Sequence, residues 1–235
     1  MEECSGKVKI LSTFSKAVSL GLVSPQGTAA YDGLTDLPPL VERAVDLARR
    51  LGFANSCRPE HGRLLHALAA GAGTIGETGT GCGVGLAWLA SGARPGTRLA
   101  SVEIDTERAG FVASLFADLP HLAVLPGDWR EIYRAAPFDL LVLDGGGYPP
   151  DPEELLKPGG TVVIDDLTPA STWPPLFGGQ VDQARMHWFT HPALDAAELR
   201  LAPDLAALVA TRRYPALTGR ANSRRAGSPG PRTRT

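Results

Sequence analysis

Gly76-Glu-Thr-Gly-Thr-Gly-Cys-Gly-Val-Gly85 sets an acidic residue, Glu77, ahead of three glycines at alternate positions, Gly79, Gly81 and Gly83. Glycine adopts positive φ without strain and has no Cβ to hold a ligand away from the backbone. Upstream, residues 72–78 have the length and pattern of a short strand. Downstream, Val84-Gly-Leu-Ala-Trp-Leu-Ala90 is an apolar helical segment. The stretch therefore predicts the first strand-turn-helix unit of a doubly wound α/β sheet, in which ligands sit beyond the carboxyl ends of the strands. The dinucleotide fingerprint Gly-x-Gly-x-x-Gly fits in no register, because the sixth residue is Val84 counted from Gly79 and Leu86 counted from Gly81. A diphosphate ligand is thereby disfavoured, although the loop alone also fits a glycine-rich surface turn.

The segments that follow repeat the theme of a strand ending in a carboxylate. Residues 98–104 predict a second strand closing on Glu103 and Asp105, with Glu103 twenty residues after Gly83. A carboxylate there can accept from both hydroxyls of a ribose, or these acids can belong to the start of a helix at Thr106-Glu107. Residues 121–125 predict a third strand leading into Gly127-Asp-Trp129, where a carboxylate and an indole could hold an adenine. Phe138-Asp-Leu-Leu-Val-Leu-Asp144 is almost wholly apolar, as a strand buried on both faces should be. Lys157-Pro-Gly-Gly-Thr-Val-Val-Ile-Asp-Asp166 predicts a turn and a fifth strand ending in two acids. Four acidic strand ends on one edge suit S-adenosylmethionine, a nucleoside whose sulfonium and ammonium are positive and which carries no phosphate.

In these motifs the chain resembles the class I S-adenosylmethionine-dependent methyltransferases, and among them the small O-methyltransferases related to catechol O-methyltransferase. The resemblance runs over residues 58–212, through Arg58-Pro-Glu-His-Gly-Arg-Leu-Leu, Glu77-Thr-Gly-Thr-Gly-Cys-Gly, Ser101-Val-Glu-Ile-Asp, Gly127-Asp-Trp, Phe138-Asp-Leu-Leu-Val-Leu-Asp and Leu156-Lys-Pro-Gly-Gly. It implies a Rossmann-like, mostly parallel seven-stranded sheet with helices on both faces. It implies that Glu77, Gly79, Gly81 and Gly83 border the methionine part of the cofactor, with Cys57 in the segment that closes over it. Glu103 would hold the ribose, Asp128 and Trp129 the adenine, and Gly85 stands where many relatives have serine. Asp144 would face the cofactor too. In metal-dependent members the positions of Asp144, Asp165 and Asp166 hold a divalent ion, Mg²⁺ or Mn²⁺ in such an oxygen set, where many members have asparagine at the position of Asp166. Asp165 and Asp166 could instead cap the next segment. Relatives often carry a lysine base after the fourth-strand aspartate, and here that stretch is Gly145-Gly-Gly147. His187 and His191, four apart in a segment ended by Pro192, are the substitute candidates for the base.

The 235 residues, 43% hydrophobic, suffice for one sizeable core. Residues 1–36 are expected to be a loose lead-in, residues 37–213 a single domain capped by two amphipathic helices within 37–70, and residues 214–235 a basic disordered tail. From Arg212 onward there are seven arginines and no acid, leaving 16 basic against 25 acidic residues in 1–211, a net charge of -9. So acidic a body would repel phosphate, and nucleic acid is a disfavoured partner. The three cysteines have no paired spacing, the start lacks a basic leader, and residues 17–23 are too short for a membrane span, so a cytoplasmic protein without membrane partners is expected. Residues 197–201 and 205–211 about Ala202-Pro-Asp204 predict a closing antiparallel hairpin. Thr168-Pro-Ala-Ser-Thr-Trp-Pro-Pro-Leu-Phe-Gly-Gly179 could wall a small-molecule acceptor pocket or simply pack as a connecting loop. The expected function is methyl transfer to oxygen of a small molecule. Its rivals are aminopropyl transfer of the spermidine synthase kind and a binding or regulatory protein that has lost catalysis, and a homodimer is the family expectation.

Overall fold

The computed structural model describes residues 26–144 and 151–215, apart from the side chain of Asp166. Most of the expected lead-in, Gly145-Gly-Gly147 and most of the basic tail lie outside the described residues. Five parallel strands come first: β1 (Thr74–Thr78), β2 (Arg98–Glu103), β3 (Leu122–Pro126), β4 (Phe138–Leu143) and β5 (Leu156–Leu167). A small pair, β6 (Leu176–Phe177) and β7 (Gln180–Val181), interrupts the loop after β5, and β8 (Leu194–Ala202) and β9 (Leu205–Arg212) form the expected hairpin. The seven-stranded sheet has the order β3-β2-β1-β4-β5-β9-β8, with β9 antiparallel to both neighbours. The chain winds outward from β1 through β2 and β3, then restarts at β4 on the other side. The ends of β1 and β4 thus flank the crevice where such sheets take ligands.

Alternation along the strands explains why both faces are covered. Leu140 and Val142 of β4 enter one apolar cluster and Leu141 the other, which Phe138 also joins across the register shift between Phe138 and Leu140. The first cluster receives α1 (Pro39–Arg50), α2 (Pro59–Ala69) and α3 (Val84–Gly92), and the second receives α6 (Gln183–Thr190) through Trp188. Both α1 and α2 begin with proline, whose fixed φ and missing N–H cost nothing in a first helical turn. Val41, Ala44, Val45 and Ala48 form the buried stripe of α1. Asp105 caps α4 (Thr106–Leu115) by accepting from the amides of Glu107 and Arg108. A short helix, α5 (Pro152–Leu155), leads into β5.

The described end of the lead-in is not loose. Gly27–Tyr31 forms a 3-10 turn, and Tyr31 is only 2% exposed. Its hydroxyl accepts from Trp88 Nε1 of α3 and donates to the carbonyl of Cys57, both at 2.9 Å. Thr28 adds a hydroxyl contact to Ser56 at 2.7 Å. Residues 53–58 are thereby strapped across α3. Buried Arg58 then reaches the β8–β9 turn, pairing with Asp204 at 3.0 Å and with Glu60 at 3.1 Å.

Candidate functional site

All three alternating glycines have positive φ, 81° at Gly79, 54° at Gly81 and 82° at Gly83, where Gly83 starts α3 from the left-handed region. A side chain at Gly83 would also strike Val112 at 2.8 Å, so the loop is pressed onto α4 as well as bent. The amides of Gly79 and Thr80 both donate to the carbonyl of Val102, which holds the loop against the end of β2. Cys82 points into the core, and burial pushes its thiol up to about 11, so it is a packing residue.

Glu77 is 3% exposed. Burial pushes its carboxyl up to about 8; a hydrogen bond from Ser101 opposes this, while Asp165 and Glu103 nearby add to it. Ser101 in turn lies 2.6 Å from the Thr80 hydroxyl, linking the loop to the same polar chain. A Cβ on Gly85 would stand 2.5 Å from Glu77 Oε1 and 3.9 Å from Cys57 Cβ. Gly85 therefore makes room for the Glu77 carboxylate, which gives a local reason for the absence of serine.

Glu103, also 3% exposed, accepts from the Gly81 amide at 2.7 Å, from the Asp105 amide at 2.9 Å and from the Arg108 guanidinium. Arg108 lies 5.0 Å over the Phe53 ring, and Phe53 covers the face of Gly81. Asp128 is exposed, accepts from the Arg130 amide and guanidinium, and starts a 3-10 turn over Trp129–Arg134. Trp129 is partly exposed beside it, with the Arg130 guanidinium 5.3 Å over its ring. The carboxylate and indole thus stand together at the end of β3, with Asp128 Oδ1 bonded to Arg130.

At the switch point the Asp144 amide donates to the Thr78 carbonyl at 3.1 Å, which joins the ends of β4 and β1. Asp165, further along the same edge, has its Oδ1 2.6 Å from Nδ1 of His61, and both side chains are buried. Asp166 follows in β5. Among the described residues no three His, Cys, Asp or Glu side chains converge as a metal-ligand set. The occupied Asp165 is the point of misfit: a hard dication needs carboxylate oxygens turned toward it and keeps several waters, and this one is turned to an imidazole inside the core.

His187 and His191 are not brought to this edge. They lie 5.5 Å apart on and just after α6, and His187 is influenced by Asp151, the cap of α5 before β5 begins. Burial and the neighbouring His191 hold the His187 pKa below its ordinary value. Leu194, three residues on, aligns with Arg212 next to the Thr211–Thr161 pair, and Thr161 lies four strand residues before Asp165, roughly 13 Å. The histidines therefore belong to the packing of α6 at the far side of the sheet.

The loop after β5 borders an open depression of ≈ 290 Å³ lined by Ala170, Thr172, Trp173, Pro175, Phe189 and Glu198. Trp173 and Phe189 meet edge to face at 5.1 Å. Glu198 accepts from the Ala170 amide and from Arg185, both at 2.7 Å. Sequence reasoning singled out this loop, but it missed the functional candidates His61, Arg108 and Phe53. Only His61 left a signal, standing inside the motif Arg58-Pro-Glu-His-Gly.

The fold is similar to that of solved methyltransferases. An O-methyltransferase from Bacillus cereus in complex with SAH superposes with a TM-score of 0.62 at 20% identity, over 78% of this chain and 95% of that one. TomG, an O-methyltransferase of tomaymycin synthesis from Streptomyces achromogenes in complex with SAM, gives 0.62 at 22%, over 78% and 94%. The fold is that of the class I methyltransferases. Within that methyltransferase fold, a protein from Mycobacteroides abscessus named as an O-methyltransferase is 33% identical over 139 residues, 52% of this chain and 61% of its own length. One from Mycobacterium tuberculosis is 29% identical over 137 residues, 52% and 59%. The chain thus matches less than two thirds of the length of these relatives. No family model matches. No helix among the described residues is long and apolar enough to cross a membrane.

Proposed function

We propose that this chain binds S-adenosylmethionine at the β1–β4 crevice and transfers its methyl group to a hydroxyl oxygen of a small molecule. The observation that carries this reading is one constellation: three glycines of positive φ between the buried carboxylates Glu77 and Glu103, at the switch point of the sheet. The residues fit that cofactor. When bound, S-adenosylmethionine supplies a methyl group already activated on a sulfonium, so position and orientation account for much of the acceleration. Gly79, Gly81 and Gly83 let the backbone approach the methionine portion, Glu77 places a carboxylate beside its positive groups, and Cys57 on the strap closes that side. Glu103 serves the ribose hydroxyls, with Phe53 and Arg108 as its wall, while Asp128 and Trp129 take the adenine, and Asp144 lies where the two halves of the sheet part.

The aromatic side chains of Trp173 and Phe189 beside the open depression after β5 suit an apolar or aromatic acceptor. No step is routed through a divalent ion, because Asp165 is turned to His61. The relatives and structural neighbours named as methyltransferases favour methyl over aminopropyl transfer and over a catalytically inert protein. Calorimetric titration with S-adenosylmethionine, S-adenosylhomocysteine and NAD tests the reading. Binding of the two adenosyl ligands, weakened at least about tenfold by Glu103→Ala, is expected, and binding of NAD alone would falsify it.

A further inference from the structure

We propose that His61 occupies the role that a divalent ion was expected to fill beside Asp165, so that the acidic edge of this sheet excludes Mg²⁺ and Mn²⁺. The name of the reaction rests on the methyltransferase reading, whereas the exclusion of metal does not. The imidazole is wholly buried, 0% exposed, and the Asp165 side chain is 3% exposed. Their 2.6 Å separation puts Asp165 Oδ1 in direct contact with the imidazole. Among the described residues neither ring nitrogen has an aligned hydrogen-bond partner. Asp165 is thus the polar neighbour that makes burial of this imidazole tolerable, and a metal drawing Asp165 away would strand it.

The backbone keeps His61 where it is. It lies in the first turn of α2, behind Pro59 and the Arg58 pairs to Glu60 and Asp204. The next residue, Gly62, packs so closely on α3 that a Cβ there would fall 2.1 Å from Trp88 Nε1. With Trp88 itself bonded to Tyr31, the helix has little freedom to withdraw the ring and open a coordination sphere. His61 is therefore a positioning residue that fixes Asp165, and its ring fills the space beside that carboxylate.

The test is Mn²⁺ titration of the full chain, followed by the electron paramagnetic resonance signal of free Mn²⁺, with and without S-adenosylhomocysteine. The natural chain should leave the signal of free Mn²⁺ undiminished, and methyl transfer in EDTA should stay within about twofold of that in Mg²⁺. His61→Ala, checked for folding by its thermal melt, should bind Mn²⁺ at least about tenfold more tightly than the natural chain, and Asp165→Asn added to it should remove that gain. Stoichiometric Mn²⁺ binding by the natural chain that Asp165→Asn abolishes overturns the proposal, and so does a folded His61→Ala variant with no gain. The natural-chain measurement decides the matter even where His61→Ala does not fold. Failure to bind S-adenosylhomocysteine would count against the methyltransferase reading alone, since the Mn²⁺ comparison is read without it.

Discussion

Glu77→Gln keeps the shape of the buried side chain and its hydrogen bond to Ser101 while removing the capacity to ionise, so it isolates what burial does to this acid. In the folded protein the carboxyl is pushed up to about 8 from an ordinary 4.5. Between those values the folded state binds a proton that the unfolded state does not, and stability falls as pH rises through the window. The contribution is complete below 4.5 and gone above about 8. From pH 5.5 to pH 8.5 the linkage amounts to about 3 kcal/mol at 25 °C. Urea denaturation at the two pH values should show the natural chain losing about that much more stability than Glu77→Gln. A second readout follows from the proposed cofactor. A positive ligand beside Glu77 favours its ionised form, so binding of S-adenosylmethionine at pH 7 should release protons, seen as a buffer-dependent enthalpy that Glu77→Gln lacks. Equal losses of stability in the two proteins would refute the assignment of a buried, proton-holding Glu77.

Gly85→Ser puts a Cβ 2.5 Å from Glu77 Oε1; it should cost about 1–3 kcal/mol in urea melts and weaken S-adenosylhomocysteine binding in calorimetry, and a neutral result would mean that Glu77 is free to move aside. Arg58→Ala leaves Asp204 without its buried cation and should cost about 3 kcal/mol, while the double variant with Asp204→Ala should recover part of it in a mutant cycle; strict additivity would show that the pair is not coupled. Tyr31→Phe removes one hydrogen bond accepted and one donated, which should lower stability by about 1–3 kcal/mol, with an unchanged thermal midpoint counting against the strap.

Legibility in the sequence follows the range of the interactions. Each strand of the sheet lies within a few residues of its expected place, because apolar runs such as Leu140–Leu143 and the break around Gly127 are local signals, whereas the turn expected at Lys157-Pro-Gly-Gly160 is taken up inside β5 as a register shift against β4. The glycine loop was legible for the same reason: a backbone of positive φ demands a residue type. The short β6–β7 pair left no such periodicity in its two-residue strands. Burial of Tyr31 was illegible, since its partners Cys57 and Trp88 are 26 and 57 residues away. His187 lies in the expected helix and His191 just past its end, yet spacing along a helix does not say which end of a sheet it meets. His61 could not be matched to Asp165 across more than a hundred residues, and the missing serine at Gly85 had no explanation until Glu77 was seen in its space.

The Arg58–Asp204 pair joins residues 146 positions apart, and this has a bearing on how the chain acquires its shape. A ribosome delivers the strap early and the turn that anchors it among the last residues of the sheet. During synthesis the buried guanidinium has no Asp204 to meet, so the lid over the glycine loop stays unlatched until the closing hairpin emerges. Contacts of such long sequence separation slow folding, and here they place the completion of the crevice near the end of the process. A chain truncated before the β8–β9 turn would therefore forfeit Asp204, the partner of Arg58, along with an inner strand of its sheet.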